Sequence, residues 1–160
     1  FFARPARLEL EAVQVKDILK DLLLLGQEAA EQQRVILEEE IESSLPSLML
    51  DRQRMHEALW NLLNNGLQAM PEGGRLRLTA QRHDGKEVLI QISDTGEGIP
   101  PENLSKIFDY YFTTKEKGMG LGLPLAHKII QEHGGTIEVQ SAVARGTTFL
   151  IRLPIPQEKK

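Results

Sequence analysis

The chain contains no cysteine, which removes disulfides, thiolate metal sites and thiol nucleophiles together and suits a reducing compartment. It has no long apolar run: the longest, LLLL at 22–25, is far short of the roughly 20 residues a membrane helix needs, and no signal peptide pattern is present. Positive charge is not in excess, since 19 Lys and Arg face 23 Asp and Glu for a net charge of -4. That balance argues against a general binder of nucleic acid or other polyanions, although local lysines can still serve a phosphate. Aromatic residues make up only 5%, so any cluster of them stands out. The glycine stretch TTKEKGMGLGL (113–123) has neither the spacing of a phosphate-binding P-loop nor that of a dinucleotide fingerprint. There is no internal repeat.

What is present is enough for one core: 160 residues, 41% of them hydrophobic, suit a single domain better than two. The chain begins FFARP without Met and reads as a piece of something longer. Ile18, Leu19, Leu22, Leu25 and Ala29 recur at helical spacing and predict an amphipathic helix from Val15 to Gln32. RVILEEEI (34–41) and SLMLD (47–51) read as short strands around a Ser/Pro turn, with Asp51 placed to cap a helix that runs to about Ala69 and stops at PEGG. RLRLTAQR (75–82) and KEVLIQIS (86–93) alternate around Asp84-Gly85, a strong hairpin signal. A loop with a short helix begun by Pro101 follows, then a helix through LGLPLAHKIIQEH ended by Gly134 and Gly135, then the strand pair TIEVQS and TTFLIRLP. Helices among mostly antiparallel strands imply a two-layer α/β sandwich, its mixed, mainly antiparallel sheet covered on one face by about three helices and more open on the other.

Four patches carry chemistry. On the helix after Asp51, Glu57, Asn61, Asn65 and Gln68 line one flank beside the apolar side marked by Met55, Leu59, Leu62, Gly66 and Met70. This is a solvated polar face, or it offers the Asn65 amide oxygen as a hard ligand to Mg²⁺. In DTGEGIP (94–100), Gly96 and Gly98 allow close backbone approach, and Asp94 is an acceptor-only carboxylate at a strand end. Such a carboxylate takes a hydrogen bond from the amino group of adenine and repels the carbonyl of guanine; an ordinary strand exit is the alternative. FDYYF (108–112) with Ile107 is a satellite core or a nucleotide wall. Finally, Gly118, Gly120 and Gly122 precede a helix whose free N–H groups and positive dipole end suit an anion, with Lys115 and Lys117 adding charge; a glycine loop capping a helix is the plain reading.

In order, NLLNNGLQA, DTGEGIP, IFDYYFTTK and GMGLGLPLAHKIIQEHGG resemble the N, first-glycine, F and second-glycine boxes of the GHKL ATP-binding superfamily. The closest likeness is to the catalytic domain of sensor histidine kinases. SAVARGTTFLIRLP resembles that family's closing strand pair, so the match runs from about Asp51 to Pro154. FARP with the first helix looks like the family's junction after the dimerisation helices. The resemblance implies a Bergerat-type fold divided into a linker at 1–14, an ATP-binding domain at 15–156 and a disordered tail at 157–160.

By resemblance Asn65 is the Mg²⁺ ligand with Asn61 a turn earlier, and Asp94 reads adenine in a loop shaped by Gly96, Gly98 and Ile99. Phe108 and Phe112 match the aromatic box. Thr113 to Met119, with Thr114 and Lys115, match a lid over the triphosphate, and Gly118, Gly120, Leu121, Gly122 and Leu123 match the second glycine box that meets the phosphates. Thr147 falls where related ATPases hold adenine through a hydroxyl or a water. Asn61, Asn65 and Lys115 would carry the chemistry. Four positions depart from the common pattern: Gly66 where Ala is frequent, Tyr110 where Pro is frequent, Met119 where Thr or Ser is frequent, and Gln68 where some members are basic.

The implied activity is a protein-histidine kinase that binds Mg-ATP and passes the γ-phosphoryl group to a histidine on separate dimerisation helices, for relay to an aspartate of a response regulator. The other readings are an anti-sigma-type serine kinase, another superfamily ATPase, or a module that binds ATP without transfer. Gyrase and mismatch-repair relatives carry a water-activating glutamate where this chain has Asn61, and an amide is no general base. Slow hydrolysis is therefore expected. None of the four histidines reads as the phosphoacceptor: His56 lacks the H-E-x-x-x-P setting and HEALW fails the zinc motif HExxH, His83 lies near a turn, His127 reads as helix surface, and His133 could favour a helix C-terminal dipole. The resemblance further implies a cytoplasmic domain, monomeric when isolated and homodimeric in its parent, whether or not that parent is anchored in a membrane.

Overall fold

The structure, a computed structural model, describes residues 7–109 and 122–157. Its elements are β1 (Glu11–Val13), α1 (Val15–Gln33), β2 (Val35–Ile41), β3 (Leu48–Leu50), α2 (Arg52–Gln68), β4 (Gly74–His83), β5 (Glu87–Asp94), α3 (Pro101–Leu104), α4 (Gly122–Glu132), β6 (Thr136–Ala142) and β7 (Gly146–Pro154). Five strands form one sheet in the order β2-β4-β5-β7-β6, and β1 pairs with β3 separately. β2 runs parallel to β4, and the other three pairings of the large sheet are antiparallel. This is the expected mixed, mainly antiparallel two-layer arrangement.

The core lies between the sheet and the helices. Ile18, Leu19 and Leu22 of α1, Met55, Leu59, Leu62 and Leu63 of α2, and Ile129 and Ile130 of α4 pack with Leu76, Leu78, Ile90, Ile92, Phe149 and Ile151 of the strands, all essentially buried. Each helix presents one apolar stripe and each strand its alternate residues, so burial follows directly from the 3.6 and 2 periodicities. The opposite face is polar and laced with ion pairs: Arg75 with Glu38, Arg77 with Glu40, and Arg152 with both Glu87 and Glu138.

A three-residue turn, Asp84 to Lys86, joins β4 to β5 between the paired His83 and Glu87, with Asp84 and Gly85 both at positive φ, 54° and 66°. Two pairings differ from the sequence expectation. The strands expected around the Ser/Pro turn do not pair with each other: β2 joins the large sheet and β3 pairs with β1. Part of the segment read as a linker thus carries a strand, because β3 finds its partner backbone at Glu11–Val13.

α2, which bears the asparagines, is held at both ends. Asp51 caps its start by accepting from the Arg54 N–H at 3.1 Å, as expected, and its second carboxylate oxygen accepts from the Glu9 N–H at 3.0 Å. The Asp51 N–H in turn donates to His133 Nε2 at 3.0 Å, and His133 Nδ1 lies 2.8 Å from the Ile129 carbonyl. His133 thus joins the C-terminal end of α4 to the start of α2. At the other end, Gln33 Nε2 donates to the carbonyls of Leu67 and Met70 at 2.7 and 3.1 Å, adding to the bonds those carbonyls take from the Met70 and Gly73 N–H groups.

Candidate functional site

Three of the four sequence patches meet at one end of the sheet. Asp94 ends β5 and is paired in register with Thr147 on β7. Both side chains point to the helix-covered face, where they are 6% and 5% exposed, so two polar residues are enclosed in a mainly apolar layer. α2 closes over them at Gly66, where a Cβ would stand 2.8 Å from Leu76 Cδ1 and 3.4 Å from Asp94 Oδ2. An alanine at that position would crowd both neighbours. The glycine there lets α2 approach the aspartate.

The loop after Asp94 is folded by the aspartate itself: its Oδ1 accepts from the Gly96 N–H at 2.8 Å, an Asx-type turn. The loop is then pinned to the β6-β7 hairpin. Gly98 has φ 75° and packs so closely that a Cβ would stand 2.1 Å from the Ala142 carbonyl oxygen. The Ile99 N–H donates to Ser141 Oγ at 2.8 Å, and the Ala144 N–H donates to the Glu97 carbonyl at 2.8 Å. The loop is therefore fastened to the end of the sheet at several points.

Asn61, on the flank of α2, lies next to the start of α4: a Cβ on Gly122, the first residue of α4, would be 3.9 Å from Asn61 Oδ1. Asn65 follows a turn further along α2; both asparagines are half-buried while Glu57 and Gln68 are exposed. The start of α4 and the Asn61 carboxamide thus adjoin, a combination suited to an anion. Phe108 is half-buried, stacks on His127 with ring centroids 4.9 Å apart and tilts against Phe149 at 6.4 Å. His127 is therefore half of a ring stack with Phe108, which follows α3, rather than plain helix surface. Ile107 is buried in the core, and Leu123 and Ile99 pack against its edge.

Phe112, Thr113, Thr114, Lys115, Gly118, Met119, Gly120 and Leu121 lie outside the described residues, as does Tyr110. Among the described residues no group of three or more His, Cys, Asp or Glu could hold a metal, and no helix is long and apolar enough to cross a membrane. A separate open cleft of about 540 Å³ lies at the start of α2, lined by Leu10, Ile18, Asp21, Asp51, Gln53 and His56 among others; none of the expected site residues lines it.

Sequence reasoning passed over Ser141, which bonds the loop and the hairpin, because a serine in an edge strand carries no motif. It also passed over the Asp51-His133 bond, whose partners are 82 residues apart.

Comparison with known proteins agrees with this geometry. The chain is 36% identical over 157 residues to the sensor histidine kinase ZraS of Escherichia coli (strain K12), covering 98% of this chain and 34% of that protein. It is 33% identical over 155 residues to sporulation kinase E of Bacillus subtilis (strain 168), covering 97% and 21%. The chain thus spans about a third or less of these curated relatives. Among solved structures, the nucleotide-free catalytic domain of histidine kinase ThkA superposes with a TM-score of 0.82 at 30% identity, covering 91% of this chain and 95% of that one. Full-length ShkA in complex with AMPPNP superposes at 0.87 with 26% identity, covering 99% of this chain and 34% of that one. The family model described as "Histidine kinase-, DNA gyrase B-, and HSP90-like ATPase" matches residues 50–157, from the last residue of β3 to just past the end of the sheet, and the chain belongs to that family.

Proposed function

We propose that this is the catalytic domain of a two-component sensor histidine kinase, which binds ATP with Mg²⁺ and delivers the γ-phosphoryl group to a histidine on separate dimerisation helices. The observation that carries the reading is the convergence of the Asp94-Thr147 pair, the Asn61-Asn65 flank and the start of α4 at one end of the sheet. The overlay on the ThkA catalytic domain along nearly all of both chains supports the kinase branch of the family.

Asp94 accepts a hydrogen bond from the adenine amino group, and the loop through Gly96, Gly98 and Ile99 walls the base. Phe108 and Phe112 form the aromatic side of the site. Thr113, Thr114, Lys115 and Met119 cover the triphosphate, and the backbone from Gly118 through Gly120, Leu121, Gly122 and Leu123 meets the phosphates at the helix start. Asn65 would supply one oxygen ligand to Mg²⁺, which when bound neutralises phosphate charge; its half-buried carboxamide, a turn along α2 from Asn61, suits that donor role. In the transfer an imidazole nitrogen forms the N–P bond as the β,γ-bridging P–O bond breaks and ADP leaves. The transition state is loose, so the domain chiefly positions groups and balances charge. The Asn61 amide is no base, which spares the phosphoryl group from water.

We place the acceptor outside this chain: His133 is bonded through both ring nitrogens, His127 is stacked on Phe108, His56 sits within α2, and His83 ends β4 at the hairpin turn. We assign residues 15–156 to the catalytic domain and the preceding residues to its junction with the dimerisation helices. The phosphohistidine then serves a response regulator; ThkA has been crystallised with one, TrrA. The decisive experiment mixes the domain with labelled ATP, Mg²⁺ and the dimerisation helices of the parent. Acid-labile, base-stable label on the helices is expected; label on serine only, or none despite tight ATP binding, would overturn the kinase reading.

A further inference from the structure

The polar row at the end of the helix-covered face extends one strand beyond Thr147. Asp94 on β5, Thr147 on β7 and Ser141 on β6 are successive register partners. Ser141 Oγ lies 2.8 Å from the Ile99 N–H, 3.0 Å from the Gly146 carbonyl oxygen and 2.8 Å from Thr147 Oγ1. A serine hydroxyl has one proton and two lone pairs. The Ile99 amide can only donate and the Gly146 carbonyl can only accept, so the serine proton goes to Gly146. The third contact is then made by the Thr147 hydroxyl donating to Ser141. Because β7 lies between β5 and β6, this turns the threonine proton away from the Asp94 side and leaves lone pairs toward it.

We propose that Ser141 is a specificity-determining positioning residue. By taking the Thr147 proton it makes Asp94 and Thr147 an acceptor-only pair, which selects a purine with an amino group at C6 and rejects one with an oxo group there. Without Ser141 the threonine hydroxyl can rotate and donate to a 6-oxo group, so discrimination falls through a gain for the oxo purine. A site that leaves a buried acceptor facing an acceptor rejects the wrong ligand far more strongly than shape alone does. The inference rests on the ATP reading above.

The test measures calorimetric Kd values for Mg-ATP and Mg-ITP with the whole chain and its variants. The native chain is expected to prefer ATP. S141A is expected to lower that preference about fivefold, chiefly through tighter ITP binding, and S141T, which keeps the hydroxyl, to retain it. In a T147V background S141A should leave the ratio unchanged. S141C, a near-isostere with a weak sulfur acceptor, should shift the ratio in the same direction as S141A and provides the reading if S141A does not fold. Equal weakening of both nucleotides in S141A, or an unchanged ratio in S141C, would reduce Ser141 to a support for the Ile99 loop and overturn the proposal while leaving the ATP reading intact. Binding of neither nucleotide by the native chain would overturn the ATP reading itself.

Discussion

At the turn end of β5, Gly85 adopts φ 66° and has open space where a side chain would begin. At the other end Gly146, with φ 108°, approaches Asp94 so closely that a Cβ would stand 1.9 Å from the carbonyl oxygen. Both glycines take a left-handed conformation, but the first serves only the direction of the chain and the second serves proximity. Gly66 and Gly146 bring α2 and β7 within van der Waals distance of the Asp94 strand end, and Gly98 brings the loop after Asp94 against the β6-β7 hairpin. Glycine content alone does not separate the two uses.

Substitutions at the two ends test this difference. Gly146→Ala should cost about 3 kcal/mol or more, since strain and overlap with backbone combine, and thermal melting should show a large drop or no folded protein; a Tm within a few degrees of native would remove the close-approach argument. Asp94→Asn keeps an acceptor for the Gly96 N–H and so should fold, yet lose at least tenfold in ATP affinity as the charge is removed. Calorimetry that finds native affinity would refute the adenine assignment. Asp51→Ala, at the far end of α2, should lower stability by about 1–2 kcal/mol through loss of the cap, with ATP affinity scarcely changed. Gly85→Ala should cost about 1 kcal/mol, the ordinary price of alanine in a left-handed turn, and a cost equal to that at Gly146 would erase the distinction.

Asp51 also has a pH signature. Burial alone would raise its carboxyl, but the N–H groups of Glu9 and Arg54, with His133 and Arg54 nearby, outweigh this and hold it below the usual aspartate value. A carboxyl lowered on folding contributes stability that is fully present above its unfolded pKa, about 4, and is lost as pH falls below that value. Acid titration of the melting temperature should therefore fall less steeply in Asp51→Ala than in the native chain; parallel curves would exclude a role for this group.

Much of the fold was legible because its signals are local. The 3.6-residue stripe of α1, the Asp51 cap, the Asp84-Gly85 hairpin and the β6-β7 pair all follow from residues close in sequence. The parallel pairing of β2 with β4 and the small β1-β3 sheet were not legible, since short strands choose distant partners by packing rather than by pattern. At the site, the ordered boxes pointed to Asp94 and its loop, to Asn61 and to Gly122, which the fold brings near one another. They did not give Ser141 or His133, whose work is to hold other residues, and a bond between Asp51 and His133 has no trace in either local sequence. His127 read as surface because its stacking partner, Phe108, belongs to a loop rather than to its own helix.

The clamping of α2 has a mechanical consequence. A helix of 17 residues is a rod of about 25 Å, and this one is tied at its start to Glu9 and His133 and at its end to Gln33. A rod fixed at both tips does not absorb a displacement by fraying. Asn61 and Asn65 therefore sit on a stretch of helix whose two tips are both pinned to other elements, and their mutual spacing is set by the helix itself.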